Sequence, residues 1–235
     1  MATINVTLLT KVPPDGCEPS KTAATAGWDL GNIRRMNVRA MLFCLLMVTG
    51  GWQGWHNWRL RPVHPPDGLL APDDPLQSDL VNAPAVVHGR WTLTPRARYD
   101  ITARILSRED YSFDALADLV PEDLALGWGG MSDNRILRLL KIGQGSRFYS
   151  FRVIAPLPFS AQEAGYHSAN THVIPTDSFV RSQLAGLRVG QVVHLEGLLV
   201  DGVRADGYNF HTSLTRHDTG AGACEVMLVE HVEVQ

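Results

Sequence analysis

Apolar and polar residues alternate along several stretches of the C-terminal part of the chain. Between residues 91 and 105, every second position is largely apolar, and threonine, aspartate and arginine lie between. A period of two residues is typical of a β-strand with one buried face. Related patterns rich in apolar, aromatic and β-branched residues predict further strands over residues 147–154, 191–200, 208–214 and 226–234.

Three short helices are predicted between these strands. The first begins at Pro121 and ends at Gly127. Ser132 caps the second, which ends at Gly143, and Thr176 caps the third. The apolar faces of the second and third helices carry Ile136, Leu139 and Leu140, and Phe179, Val180, Leu184 and Leu187.

This succession of five or six strands and three short helices indicates an α+β fold with a largely antiparallel sheet, spanning residues 86–235. Gly197 lies inside the strand predicted over residues 191–200 and allows a sharp bend there. Such a bend is typical of a small OB-like barrel, which is the more specific form of the prediction.

The N-terminal part contains an uncharged segment, residues 40–58, that follows Arg34, Arg35 and Arg39. Its apolar core covers about 13 residues, whereas a membrane helix needs roughly 20. Three tryptophans follow the apolar core, where an interfacial belt would lie. We predict an uncleaved signal anchor in the bacterial inner membrane; the alternatives are a cleaved signal and a buried core helix.

On this topology, residues 1–39 form a cytoplasmic tail, unless Met36 is the true start, and the C-terminal domain is periplasmic. Residues 59–85 contain six prolines interspersed with aspartates. Because proline lacks a backbone donor and fixes φ, this segment is predicted to be an extended, solvated linker.

Composition narrows the function classes. Hydrophobic residues make up 45% of the chain and charged residues 19%, values of a folded globular protein. The net charge of −3 argues against a nucleic-acid partner. Three cysteines are too few for a disulfide scaffold or a four-cysteine zinc site, and we expect neither a metal nor a cofactor.

The densest polar cluster runs from His167 to His172 and includes Ser168 and Asn170. Two histidines five residues apart could approach a metal if the segment curls, and Ser168 could be a nucleophile beside a base. The alternative is a turn, because serine and asparagine readily bond to their own backbone.

A second cluster, residues 216–225, includes Arg216, Asp218 and Cys224. A thiol with histidines elsewhere in the chain is compatible with a nucleophile that uses His167 or His172, oriented by Asp218. The alternative is an inert thiol buried at the start of a strand.

A third candidate is the glycine-rich segment 126–133, which contains Trp128 and Asp133. It is compatible with a recognition loop that presents Trp128, with Asp133, Ser168, Asn170 and Arg216 as further binding residues. Trp128 could equally fill the core, while the glycines allow tight turns.

Four segments, residues 124–133, 147–149, 167–175 and 218–225, resemble a group of uncharacterised bacterial proteins. These proteins have a single N-terminal membrane segment and a C-terminal periplasmic domain, and the resemblance spans residues 36–235. It implies no activity, because none is assigned to the group.

Together with the incomplete catalytic sets, this resemblance favours a membrane-anchored, non-catalytic domain that binds a ligand or another envelope protein. The alternative is a thiol-dependent or metal-assisted hydrolase that uses Cys224 with His167 or His172.

Overall fold

A computed structural model describes residues 38–218, 220 and 222–235. The chain divides into two compact units, one ending at Thr49 and one beginning at Gly50. Residues 1–37, with most of the predicted tail and Met36, lie outside the described residues.

The described α-helices are α1 (Val38–Arg59), α2 (Asn134–Leu137), α3 (Ala161–Tyr166) and α4 (Ser178–Leu184). The described strands are β1 (Leu76–Asp79), β2 (Val86–His88), β3 (Trp91–Asp110), β4 (Glu122–Gly127), β5 (Leu140–Gly145), β6 (Phe148–Val153), β7 (Ser168–Pro175), β8 (Val192–Arg204), β9 (Asn209–Phe210) and β10 (Glu225–Val234).

The fold is α+β with a mostly antiparallel sheet, which confirms that part of the prediction. Strands β4, β7, β10 and β8 pair in that order, and the long strand β3 pairs with both β4 and β8. Only the β7–β10 ladder is parallel among the described pairings. Strands β5 and β6 form a separate hairpin.

The predicted alternation produces β3, whose first nine residues are buried at every second position. Trp91, Leu93, Tyr99 and Ile101 are all almost completely buried. The strands predicted over residues 147–154, 191–200 and 226–234 form as β6, β8 and β10. The strand predicted over residues 208–214 is confined to Asn209–Phe210.

The first predicted helix is wrong, because residues 122–127 form strand β4. This strand lies between β3 and β7 and is buried along its whole length. Leu124 and Leu126 face the main core, whereas Ala125 belongs to a second cluster beneath the β5–β6 hairpin. A strand covered on both faces loses its alternation, and pairing outweighs the local preference for a helical turn.

The other two helices differ in extent. Helix α2 is capped by Asp133, which accepts from the backbone N–H of Arg135, and it ends at Leu137. The residues predicted to continue it form β5, because they pair with β6. Helix α4 is confirmed, but its cap is Asp177 rather than Thr176.

The sequence predicts no regular element for the residues of helix α3 and strand β7, and a turn is one alternative for residues 167–172. Residues 168–175 contain few consecutive apolar positions, but β7 pairs with β4 on one side and β10 on the other. The alternative of a local turn over residues 168–172 is therefore wrong: these residues satisfy their backbone groups through neighbouring strands.

The segment predicted to be a solvated linker instead wraps the domain. The backbone N–H of Val63 donates to Val189, and those of Leu70 and Ala71 donate to the hydroxyl of Ser132. Ala71 is completely buried, and residues 76–79 add strand β1 to the edge of β3. Prolines interrupt regular structure here, but several of the N–H groups between them find partners in the domain.

A helix does form where the membrane segment was predicted. Within the described part of the chain, however, no helix is both long enough and apolar enough to cross a membrane. The prediction of a membrane-crossing helix over residues 40–58 is therefore not supported.

Candidate functional site

Three neighbouring strands bring together an aspartate, a histidine and a cysteine. The β4–β7 register places Asp123 opposite His172. The parallel β7–β10 register pairs Thr171 with Glu225, so Cys224, one residue earlier, lies beside Asn170. Because side chains alternate across a strand, Asn170, His172 and Cys224 share one face of the sheet.

Asp123 is the buried centre of this group. Its Oδ1 atom lies 2.7 Å from Nδ1 of His172 and accepts a bond of 2.9 Å from Nη1 of Arg147. The side chain of Asp123 is completely buried, and its Oδ2 atom has no hydrogen-bond partner among the described residues. A carboxylate in this position needs its two cationic partners to offset the loss of water.

Arg147 holds the surrounding loops together. It occupies the tight turn between β5 and β6, with a φ of 68°. Its guanidinium donates to Asp114 and to the carbonyl of Val120, and it lies 3.6 Å from the ring centre of Tyr111. The hairpin is thereby fastened to the loop that joins β3 and β4.

Cys224 lies half-buried beside this group. The side-chain amide of Asn170 donates to its Sγ atom at 3.6 Å and to the carbonyl oxygen of Arg147 at 3.0 Å. Asn170 therefore connects the thiol to the turn that also positions Asp123.

The charge state of His172 follows from these contacts. Burial favours the neutral ring and lowers the pKa of His172, but the hydrogen bond from the ring to Asp123, together with the nearby side chain of Cys224, outweighs burial and raises it to about 9. Burial also raises the pKa of Glu225 to about 8, partly offset by a hydrogen bond from the backbone. At neutral pH the site thus contains an imidazolium ion, and Glu225, which pairs with Thr171 and so faces the other side of the sheet, is a neutral buried carboxylic acid.

A cavity of about 460 Å³ opens onto this face of the sheet. Its wall includes His172, Cys224 and Arg147, and its apolar lining is contributed by both flanking loops and by β10. The apolar and aromatic lining residues are Leu116, Val120, Phe148, Tyr208, Phe210 and Val226. A second cavity of about 460 Å³ adjoins Cys224 from the side of the β5–β6 hairpin and includes Phe148, Asn170 and Asp218. We call these the loop cavity and the hairpin cavity.

The structure separates His167 from His172. Nδ1 of His167 lies 3.0 Å from the carbonyl oxygen of Glu163, and its Nε2 atom lies 3.9 Å from Asp74. A shared metal between the two histidines is therefore not formed. Ser168 donates its hydroxyl to the carbonyl of Ala164 rather than to a base.

Asp218 does not orient either histidine, contrary to the expectation from the sequence. Its carboxylate accepts from the hydroxyl of Ser213 at 2.8 Å. The group that contacts His172 is Asp123, from a segment that the sequence indicated as a helix. Arg216 binds the carbonyl oxygen of Pro75 and faces the ring of Tyr99.

Trp128 and Asp133 have roles within the fold. Trp128 is completely buried, and its indole N–H donates to Asp74 at 2.9 Å, which corresponds to the core alternative rather than the recognition loop. Asp133 caps α2 and accepts from the backbone of Gly68. Sequence reasoning missed Asp123 and Arg147, because only their unexpected strand and turn bring them to the site.

A separate group of possible metal ligands lies on the outer side of β3 and β8. Asp100, His194 and Glu196 have ligand atoms that lie within 4.8 Å of one another. His194 already bonds to Asp100 at 2.9 Å, which explains the arrangement without an ion.

No family model, no curated protein and no solved structure matches this chain. The resemblance to bacterial proteins with one N-terminal membrane segment therefore stays a prediction, and function has to be argued from the site itself.

Proposed function

We propose that the C-terminal domain binds a ligand in the loop cavity. The observation that carries this proposal is the cavity itself, whose volume of about 460 Å³ lies in the usual range for small-molecule sites. Apolar side chains line most of it, and a few polar groups converge at one wall. This combination gives binding energy from burial and orientation from a small number of hydrogen bonds.

The position of the cavity supports an OB-like arrangement of β3, β4, β7, β8 and β10. Strands β4 and β7 correspond to the second and third strands of that arrangement, and α4 lies between the third and fourth. Partly open OB barrels bind ligands on the face of strands two and three, between the loops that precede strands two and five. In that arrangement the loop cavity would lie at this place, because its lining includes residues 116 and 120 on one side and residues 208–211, 222 and 224 on the other.

The lining indicates the class of ligand. Arg147 and His172 are the buried cations at the wall, and Asp114 and Asp123 already compensate their charges. A charged group on the ligand would therefore gain little from these two cations. We therefore propose a mainly apolar or aromatic ligand that has one or two hydrogen-bonding groups.

Fluorine NMR with a set of fluorinated aromatic fragments tests this proposal. Phe148 lines the cavity and is about half exposed, so Phe148→Ala removes contact area with little effect on the core. We expect it to weaken the best fragment by about five- to tenfold, since an aromatic contact contributes about 1 kcal/mol. Phe179→Ala is the matched control, because Phe179 is also exposed but lies on α4, away from the cavity. The absence of any binding fragment, or equal losses in both variants, would refute the proposal.

We also propose that α1 attaches the domain to the bacterial inner membrane and that the domain acts in the periplasm, where another envelope protein is a further candidate partner. The support is a continuous set of exposed apolar side chains on α1, from Met41 to Val48, followed by three exposed tryptophans. Such a surface gains from contact with lipid. A periplasm-active reporter fused after Gln235, followed by cell fractionation, tests this location. An inactive reporter in the soluble cytoplasm would refute it.

A further inference from the structure

The arrangement of Cys224, His172 and Asp123 is that of a nucleophile, a base and a group that orients the base. Nδ1 of His172 faces Asp123 at 2.7 Å, so Nε2 is the ring nitrogen left for proton exchange. His172 and Cys224 both line the loop cavity, where Sγ lies 3.6 Å from the Asn170 amide and 3.9 Å from the carbonyl oxygen of Arg147. His172 and Asp123 lie on β7 and β4, and Cys224 immediately precedes β10; these three strands are adjacent in the sheet. Rigid strands hold these side chains in place better than flexible loops would.

We propose that Cys224 is a catalytic nucleophile for acyl transfer, with His172 as its proton acceptor and donor and Asp123 as the positioning residue. The substrate class is an ester, a thioester or an activated amide whose acyl group is mainly apolar. This inference rests on the proposed function, because the loop cavity has to hold the substrate.

The two cavities support this class of reaction. Cys224 and Phe148 line both of them, so the thiol lies at their junction. A carbonyl carbon placed at Sγ would have space on both sides, one cavity for the acyl chain and the other for the leaving group. Acyl transfer needs such a divided site, because both parts of the substrate extend from the reacting carbon.

The burial of an ion pair on this face also needs an explanation beyond stability. The side chain of His172 is 12% exposed, and that of Asp123 is fully buried. Apolar residues of similar volume would often be at least as stable in such places. Perturbed and partnered ionisable groups at a cavity wall are typical of sites where protons are transferred.

The chemistry proceeds in two balanced steps. In the first step, the thiolate of Cys224 attacks the carbonyl carbon, and a C–S bond forms while the bond to the leaving group breaks. The leaving group takes a proton from the imidazolium of His172. In the second step, water attacks the thioester, and its proton passes to His172. The C–S bond breaks, a carboxylic acid leaves, and the thiolate–imidazolium pair is restored. The Asn170 amide, 3.6 Å from Sγ, is the side-chain donor that we assign to the developing oxyanion.

The test uses the full chain with Cys17→Ser and Cys44→Ser, so that Cys224 is the only thiol. The protein is mixed with p-nitrophenyl acetate, release of p-nitrophenol is followed by absorbance, and the modified protein is identified by intact mass and peptide mapping. We expect one acetyl group on Cys224, added at least about a hundredfold faster than in the same chain unfolded in urea. If Cys224 were acetylated no faster in the folded chain than in the chain unfolded in urea, the proposal would be wrong, and no variant would be needed to show it.

Three variants assign the roles. His172→Ala is expected to slow acetylation by about 10²- to 10⁴-fold, and free imidazole is expected to restore part of the rate through the space left behind. Asp123→Asn is expected to slow acetylation and to change its pH profile, which a purely structural role would not do. His231→Asn is the matched control, because His231 is an exposed histidine on β10 that lines neither cavity. An equal loss in the control, or a loss in His172→Ala that imidazole does not restore in a folded chain, would contradict the assignment.

The fragment experiment distinguishes the failure of this inference from the failure of the proposed function. If fragments bind and the folded Cys224 is not acetylated, the catalytic inference is wrong and the ligand-binding proposal stands. If no fragment binds the loop cavity, the proposed function fails whatever the reactivity of the thiol.

Discussion

The buried pair of His172 and Asp123 predicts a pH dependence of stability that can be isolated by one substitution, His172→Asn. The pKa of His172 is raised in the folded state from an ordinary value of 6.5 to about 9. A group with a raised pKa binds its proton more tightly in the folded chain. Its contribution to stability is therefore fully present below pH 6.5 and is lost as the pH rises through about 9.

The magnitude follows from the size of the shift. A difference of about 2.5 pKa units at about 1.4 kcal/mol for each unit corresponds to about 3 kcal/mol. Screening by water reduces this value little, because the His172 side chain is only 12% exposed. This is a large share of the 5–15 kcal/mol that separates most folded domains from their unfolded states.

One nearby carboxyl group titrates in the same range and has to be controlled. Asp123 contacts the His172 ring and also accepts from Arg147, and Glu225, one residue before the β10 partner of His172, has a pKa raised to about 8. A raised carboxyl pKa also removes stability as the pH rises, between 4.5 and about 8. Because Glu225 remains in both chains, most of its effect cancels in the difference. Cys224 likewise remains in both chains, because it is one of the side chains that raise the pKa of His172.

Urea unfolding followed by circular dichroism at several pH values from about 6 to about 10 measures the difference directly. We expect the free energy of unfolding of the parent chain, minus that of His172→Asn, to fall by about 3 kcal/mol across this range. A difference that stays constant from one end to the other would show that His172 has no raised pKa. The Asp123–His172 contact could then not be an ion pair.

Three further outcomes follow from single contacts. Gly197→Ala should lower the unfolding temperature strongly, because the added Cβ would overlap a backbone carbonyl of β10. Gly165→Ala is the control, because the added Cβ meets no neighbour, and it should change the unfolding temperature little. Similar unfolding temperatures for the two variants would contradict the packing around Gly197. Glu225→Gln should remove the loss of stability that the parent chain shows between pH 4.5 and about 8. The urea midpoint of the variant should therefore depend less on pH than the midpoint of the parent. An unchanged pH dependence would refute the raised pKa of Glu225. Ser132→Ala removes a buried hydroxyl that accepts from two backbone N–H groups, and should lower the free energy of unfolding by about 1–3 kcal/mol. It should also make residues 65–75 accessible to limited proteolysis. Ser150→Ala, at an exposed position, should do neither.

Two of the elements that the sequence identified correctly, β3 and α4, have one exposed face over much of their length. In β3 the burial alternates over its first half, and α4 buries Val180 and Leu184 on one side. Their patterns of apolar residues therefore reflect their environments directly. By contrast, β4 is covered on both faces, and β7 lies between two neighbouring strands. In these strands neither alternation nor a helical period is visible, and they were predicted as a helix and a turn.

The candidate site divides in the same way. His172 and Cys224 could be nominated from the sequence, because imidazole and thiol groups can do proton transfer and nucleophilic chemistry in many settings. Asp218 and His167 could be nominated for the same reason, but the structure places them with Ser213 and Asp74 instead. Residue type therefore defined a set of candidates without selecting the partners.

The sequence by itself determined the α+β class, the positions of β3, β6, β8, β10 and α4, and two members of the candidate site, because these depend on local patterns and on the chemistry of single side chains. Only the tertiary structure decided that residues 63–79 pack against the domain and that Asp123 orients His172. The β4–β7 register sets two residues opposite each other that are 49 positions apart in the chain. No local pattern records such a register, because it results from the simultaneous pairing of β4 with β3 and of β7 with β10.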